Sequence, residues 1–225
     1  MVYEYGGIVM KIKGAIFDMD GTLLDSMGAW RTLSSRFVRS LGYEIEEGFE
    51  QKMQSLGYPK NREYLQTHYA PQMTLEQIND AMLQCMTDYY RKEVQLLPHV
   101  SDLLEELKRR GVKMCIASAT HKEMCEVALK TAGIDHYFSE IFDVSGTGKN
   151  KNYPDIFEKA LKHLGTKKEE TPVFEDAYYS IKTCKAAGFP VVAIRDAWEP
   201  LQDEVKALAD VYVLSYGEMD KIITE

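Results

Sequence analysis

The sequence predicts an α/β fold: a Rossmann-like parallel sheet core carrying one all-helical insertion. Three observations point there. From residue 98 onward, short apolar runs alternate with amphipathic helical segments, and the connections are too short for anything but βαβ crossovers. A first apolar run, at residues 13–20, stands apart from that series. Between the two, residues 27–95 read as helices with no convincing strand. Strands alternating with helices imply a parallel sheet covered on both faces. The expected division is therefore a core of residues 1–26 and 96–225 and a helical domain of residues 27–95. A length of 225 residues suits one domain with a sizeable insertion.

Each element has its own signal. In KGAIFDMD, residues 13–20, the run Ala15, Ile16 and Phe17 ends in acids, as expected of a buried strand with polar groups at its exit. WRTLSSRFVRSLG places Leu33, Phe37 and Leu41 on one helical face and stops at Gly42. Thr74 and Gln77 form a capping box ahead of a helix whose buried side holds Ile78, Met82, Cys85 and Tyr89. SDLLEELKRRG is a helix closed by Gly111, and KMCIAS, residues 113–118, is a strand. A helix over about 121–132 leads to Gly133, and FSEIFDV holds a short strand. PDIFEKALKHLG is a helix with Pro154 at its first turn. TPVFED, PVVAIRD and DVYVLS are strands, separated by the helix YYSIKTCKAAG and a helical VKALA.

Composition excludes several functions. With 27 Lys and Arg against 35 Asp and Glu, the net charge is −8, which gives no general attraction to polyanions, so no nucleic-acid partner is expected. No apolar stretch reaches 18 residues, so no spanning helix and no membrane partner are expected. The cysteines, Cys85, Cys115, Cys125 and Cys184, contain no C-x-x-C pair and no ligand or disulfide spacing. They read as thiols of a reducing cytosol, which implies a cytoplasmic protein. MVYEYGGIVM lacks the basic and apolar regions of a signal peptide, and Met10, just before the first strand, is a second candidate for the natural start.

Ligands of an open parallel sheet bind beyond the carboxyl ends of its strands. The first strand is followed there by Asp18, Asp20, Gly21, Thr22, Asp25 and Ser26. KMCIA is followed by Ser118 and Thr120, and PVF by Glu175 and Asp176. A basic loop with Lys149 and Lys151 precedes the helix at Pro154. If these strands are neighbours, one rim collects the acids Asp18, Asp20, Glu175 and Asp176, the hydroxyls of Ser118 and Thr120, and at least one lysine. Carboxylates so crowded cannot all stay ionised without a cation. An all-oxygen ligand set selects a hard ion such as Mg2+. Lysine and hydroxyl donors opposite would hold a phosphoryl group. Together these describe phosphoryl transfer with an aspartyl nucleophile.

These residues resemble a known family. DMDGTLLDS, Asp18 to Ser26, resembles the first motif, D-x-D-G-T, of the haloacid dehalogenase superfamily. Ser118 is similar to its second motif, Lys151 in KNYPDIF to its third, and VFED, Val173 to Asp176, to its fourth. The helical insert is similar to the cap that this family places after the first strand. The resemblance implies a Rossmann-like core with a cap, and a Mg2+-dependent phosphomonoesterase acting on a small phosphorylated metabolite. It implies that Asp18 attacks phosphorus and that Asp20 is the general acid and then the base. Mg2+ would be held by Asp18, the Asp20 carbonyl and Asp176, with Glu175 as a further or water-bridged ligand. Ser118 and Lys151 would grip the phosphoryl oxygens, with Thr22 and Ala119 also placed at the substrate. The second aspartate, Asp20, separates phosphate chemistry from the dehalogenases, whose halide leaving group needs no proton.

Some positions depart from the family pattern. Asn152 stands where proline is usual, and Ala177 and Ser180 replace Ser and Gly of the fourth motif, beside Tyr178 and Tyr179. The branch with this cap also includes beta-phosphoglucomutase, which carries a histidine and an arginine where this chain has Trp30 and Lys60. Lys60 or Arg62 is expected to bind a substrate anion, and Trp30 to pack. A phosphosugar mutase is thus the alternative, and a phosphate-binding protein without catalysis a third. The histidines show no ligand spacing. A monomer or weak dimer is expected.

Overall fold

The computed structural model describes residues 10–221, so the nine residues before Met10 that bear on the choice of start lie outside the described residues. The chain divides into two units, one of Met1–Asp25 and Gln95–Glu225, the other of Ser26–Val94. The first is a six-stranded parallel sheet. Its strands are β1 (Gly14–Phe17), β2 (Lys113–Ser118), β3 (Ile141–Asp143), β4 (Val173–Glu175), β5 (Val191–Ile194) and β6 (Val211–Val213), in the order β3-β2-β1-β4-β5-β6. The order reverses at β1, which pairs with β2 on one side and β4 on the other. The exits of these three strands therefore lie side by side, the place where an open parallel sheet receives a ligand.

β1, β4 and β5 are buried at every position, as strands covered on both faces must be. One layer of the core joins Ile16, Cys115, Ala117, Phe157, Val173 and Ile181. Phe17 and Phe174, on neighbouring strands, stack at 4.3 Å between ring centroids, and Phe138 meets Phe17 edge-on at 5.9 Å. Truncating a fully buried Phe157 to alanine would cost about 3–5 kcal/mol through lost transfer energy and an unfilled cavity. Gly14 begins β1 where a Cβ would come within 2.5 Å of the Thr166 hydroxyl, so a larger residue would force that side chain to shift.

The helix at 155 begins one residue later than expected. Pro154 is its N-cap, and the helix runs Asp155–Leu164, a shift within the usual fraying of helix ends. The helices following β2 and β4 are Lys122–Thr131 and Tyr178–Ala186. None of the described helices is long and apolar enough to cross a membrane.

The second unit is wholly helical among the described residues. Its helices are Met27–Arg31, Leu33–Ser40, Phe49–Leu56, Lys60–Tyr69 and Leu75–Lys92. The single helix expected over WRTLSSRFVRSLG is two, broken at Thr32, whose hydroxyl donates to the Gly28 carbonyl at 2.8 Å. A side chain that bonds back in this way competes with the backbone ladder. The Thr74–Gln77 capping box is present in both directions. On the long helix Ile78, Met82, Met86, Tyr89 and Tyr90 are buried, while Cys85 is only half-buried. The stripe is therefore rotated slightly from the one read in the sequence.

Candidate active site

The site is built from the strand exits. Beyond Phe17 the chain leaves β1 through Asp18, whose backbone N–H donates to the Phe174 carbonyl of β4 at 2.9 Å. Gly21 follows with φ of 81°, a left-handed conformation that glycine enters without a Cβ clash. It turns the chain so that the Leu24 and Leu23 N–H groups both donate back to the Met19 carbonyl, at 3.0 and 2.9 Å. This tight loop holds Asp18 and Asp20 at fixed positions beside β2 and β4.

Lys151 reaches the same point from the loop before the Asp155–Leu164 helix, and only 1% of the residue is exposed. Its Nζ donates to Asp18 Oδ1 and, at 2.8 Å, to Glu175 Oε1. The other Glu175 oxygen accepts from the Asp176 and Ala177 backbone N–H groups, both at 2.9 Å. Thr22 donates its hydroxyl to Asp176 Oδ1 at 2.9 Å. One carboxylate oxygen from each of Asp18, Glu175 and Asp176 lies within 4.8 Å of the others, and all three residues are buried.

Three buried carboxylates thus face one buried ammonium. Burial raises the Asp18 pKa to about 7, with Glu175 and Asp20 adding to the rise and Lys151 opposing it. Burial, then Glu175 and Asp18, raise Asp176 well above the carboxylate range, against its hydrogen bond from Thr22. For Lys151, burial alone would favour the neutral amine, but the charges of Asp18 and Glu175 outweigh it and hold the ammonium. The cluster is short of positive charge. With oxygen donors only, and neither histidine nor cysteine among them, it fits a hard divalent cation.

Asp20 stands apart from these carboxylates. Its Oδ2 accepts from the Thr120 hydroxyl at 2.7 Å, and the Thr120 N–H in turn donates to the Ser118 hydroxyl oxygen at 3.1 Å. Ser118 is buried, at the last position of β2, and Ala119 is exposed beside it. The sequence counts Thr120 on the rim but gives it no role, because its partner lies 100 residues away. Lys149 pairs with Asp155 at 2.7 Å. Tyr178, Tyr179, Asn152 and Lys182 line a cavity of about 520 Å3 that none of the cluster carboxylates reaches.

Lys60 and Arg62 belong to the helical unit. Lys60 is exposed at the first residue of its helix. Arg62 is half-buried, with Nε and Nη2 on Asn79 Oδ1, each at 3.3 Å, and Nη1 on Asn61 Oδ1 at 3.1 Å. Its guanidinium lies 4.3 Å from the centre of the Tyr58 ring. Trp30, half-buried, donates its indole N–H to the Tyr90 hydroxyl at 3.1 Å.

Residues 15–194 match the family described as haloacid dehalogenase-like hydrolase. The chain is 28% identical over 200 residues to pyrophosphatase PpaX of Oceanobacillus iheyensis, covering 84% of this chain and 85% of that protein. It is 29% identical over 196 residues to fructose-1-phosphate phosphatase YqaB of Escherichia coli, covering 82% of this chain and 97% of that protein. The fold is similar to that of the crystal structure of CbbY from Rhodobacter sphaeroides in complex with phosphate. That likeness has a TM-score of 0.75 at 21% identity and covers 92% of this chain and 96% of that one.

Proposed function

The chain belongs to the haloacid dehalogenase-like hydrolases, and from that premise we propose that it is a Mg2+-dependent phosphomonoesterase acting on a small phosphorylated metabolite. The observation that carries this reading is the pairing of two aspartates two residues apart in different settings. Asp18 lies in the carboxylate cluster on Lys151, while Asp20 lies outside it on Thr120. In this reading Asp18 attacks and Asp20 moves a proton. The names of the two relatives, a pyrophosphatase and a fructose-1-phosphate phosphatase, support phosphoryl hydrolysis as the reaction class.

In this reading an Asp18 oxygen forms a bond to phosphorus as the bond to the leaving oxygen breaks. Asp20 gives its proton to the departing alkoxide, then as carboxylate takes one from water. The resulting hydroxide attacks phosphorus, releasing phosphate and regenerating Asp18. Lys151 holds Asp18 in place and offsets phosphoryl charge, and Ser118 donates to a phosphoryl oxygen. Asp18, Asp176 and the Asp20 carbonyl would hold the cation, with Glu175 bridging to it through water, since both Glu175 oxygens already accept from donors. When bound, the cation supplies the positive charge that the cluster lacks and that a phosphate dianion requires.

The test is hydrolysis of p-nitrophenyl phosphate. Asp18→Asn is expected to lower turnover by at least about a thousandfold while the protein stays folded, because the nucleophile is lost. EDTA is expected to remove activity and added Mg2+ to restore it. Unchanged turnover in Asp18→Asn, or full activity in EDTA, would overturn the assignment.

A further inference from the structure

Tyr216 lies in the turn after β6 and is 3% exposed. Its ring packs at 6.3 Å from that of Phe174, the residue that leads β4 into Glu175 and Asp176. Its hydroxyl is fully buried and has no hydrogen-bond partner among the described residues. Burial and then the charges of Asp176, Asp18 and Glu175, in that order, push the phenol well above its ordinary pKa. Its electrostatic neighbours are thus the three residues of the carboxylate cluster. A buried hydroxyl without a partner is uncommon and calls for a missing group. A phenylalanine would fill the same space without that cost, so the oxygen needs a reason.

We propose that the Tyr216 hydroxyl is a positioning group of the cation site, donating a hydrogen bond to the water shell that a divalent cation brings to Asp176. This rests on the reading of the cluster as a Mg2+ site. Mg2+ keeps several of its waters when protein-bound, and those waters need acceptors and donors around the coordinating carboxylates. Groups that orient ligands from outside the coordination sphere change metal affinity when removed. Thr22 already serves Asp176 Oδ1. Tyr216, packed on Phe174 just before Glu175 and Asp176, would serve the cation's waters rather than the carboxylate itself.

The test compares wild type with Tyr216→Phe by calorimetric titration of Mg2+ alone, alongside melting of both proteins in EDTA and in Mg2+. Tyr216→Phe is expected to weaken Mg2+ binding by about tenfold or more. In EDTA it is expected to melt no lower than wild type, because it removes an unpaired buried group, and in Mg2+ it is expected to gain less stabilisation than wild type does. An unchanged Mg2+ affinity beside a wild type that binds would overturn the role of Tyr216 and leave the cation site standing. A melting point lowered equally with and without Mg2+ would also overturn it, since the hydroxyl would then be purely structural. Failure of wild type itself to bind Mg2+ would remove the cation reading and this inference with it.

Discussion

The strand exits of the core and the helical unit use polar side chains differently. At the exits, three side-chain partnerships span a long stretch of chain. Lys151 meets Asp18 across 133 residues, Thr22 meets Asp176 across 154, and Thr120 meets Asp20 across 100. In the helical unit the partners of Arg62 are one and 17 residues away, and Lys60 stands exposed. Long-range buried pairs fix geometry to the precision that chemistry needs. Short-range, half-exposed pairs hold a helix surface together and can be re-formed at small cost. The proposed chemistry accordingly rests on core residues alone.

That contrast breaks most visibly at Lys151. Replacement by methionine leaves the Asp18 and Glu175 carboxylates buried without their ammonium. The expected result is loss of detectable hydrolysis and a destabilisation of about 3–5 kcal/mol in metal-free protein, measured by denaturant unfolding. A fully stable Lys151→Met protein would mean that the buried pair contributes little to the fold.

Thr120→Val tests the smaller, more local partnership. The substitution keeps shape and removes the donor to Asp20. Turnover of an alkyl phosphate, whose alkoxide must be protonated, is expected to fall by about tenfold or more. Turnover of p-nitrophenyl phosphate should fall less, since p-nitrophenolate leaves without a proton. Equal losses on both substrates would show that Thr120 does not act through Asp20.

The smallest effect is expected in the helical unit. Arg62→Ala should leave kcat for p-nitrophenyl phosphate within about twofold of wild type, while changing KM for some phosphorylated metabolites by up to about tenfold. A loss of kcat comparable to that of Thr120→Val would show that Arg62 takes part in the chemical step.

The same contrast explains what the sequence makes legible. The parallel sheet is readable because strand and helix periods alternate, and Asp18, Ser118 and Asp176 are readable because each follows an apolar run by a fixed offset. Pairings are not. That Thr22 serves Asp176, and that both Glu175 oxygens are occupied, depend on strand order, which no local pattern encodes. Tyr216 lies beyond the last strand and looks like any aromatic core residue until its unpaired oxygen is placed. The break at Thr32 was hidden because a threonine in a helical run bends the chain only when its hydroxyl turns back to a carbonyl. In the helical unit, periodicity shows which faces are buried and nothing about which exposed charge meets a ligand.

The central claim is that Asp18 is the nucleophile of a cation-loaded site completed by Asp176. A crystal grown with Mg2+ and beryllium trifluoride, which mimics a phosphoryl group bonded to a carboxylate, tests it directly. Beryllium is expected to be bonded to the Asp18 carboxylate, with Lys151 and Ser118 on the fluorides and the cation between Asp18 and Asp176. Beryllium on any other residue, or a cation that does not touch Asp176, would contradict it.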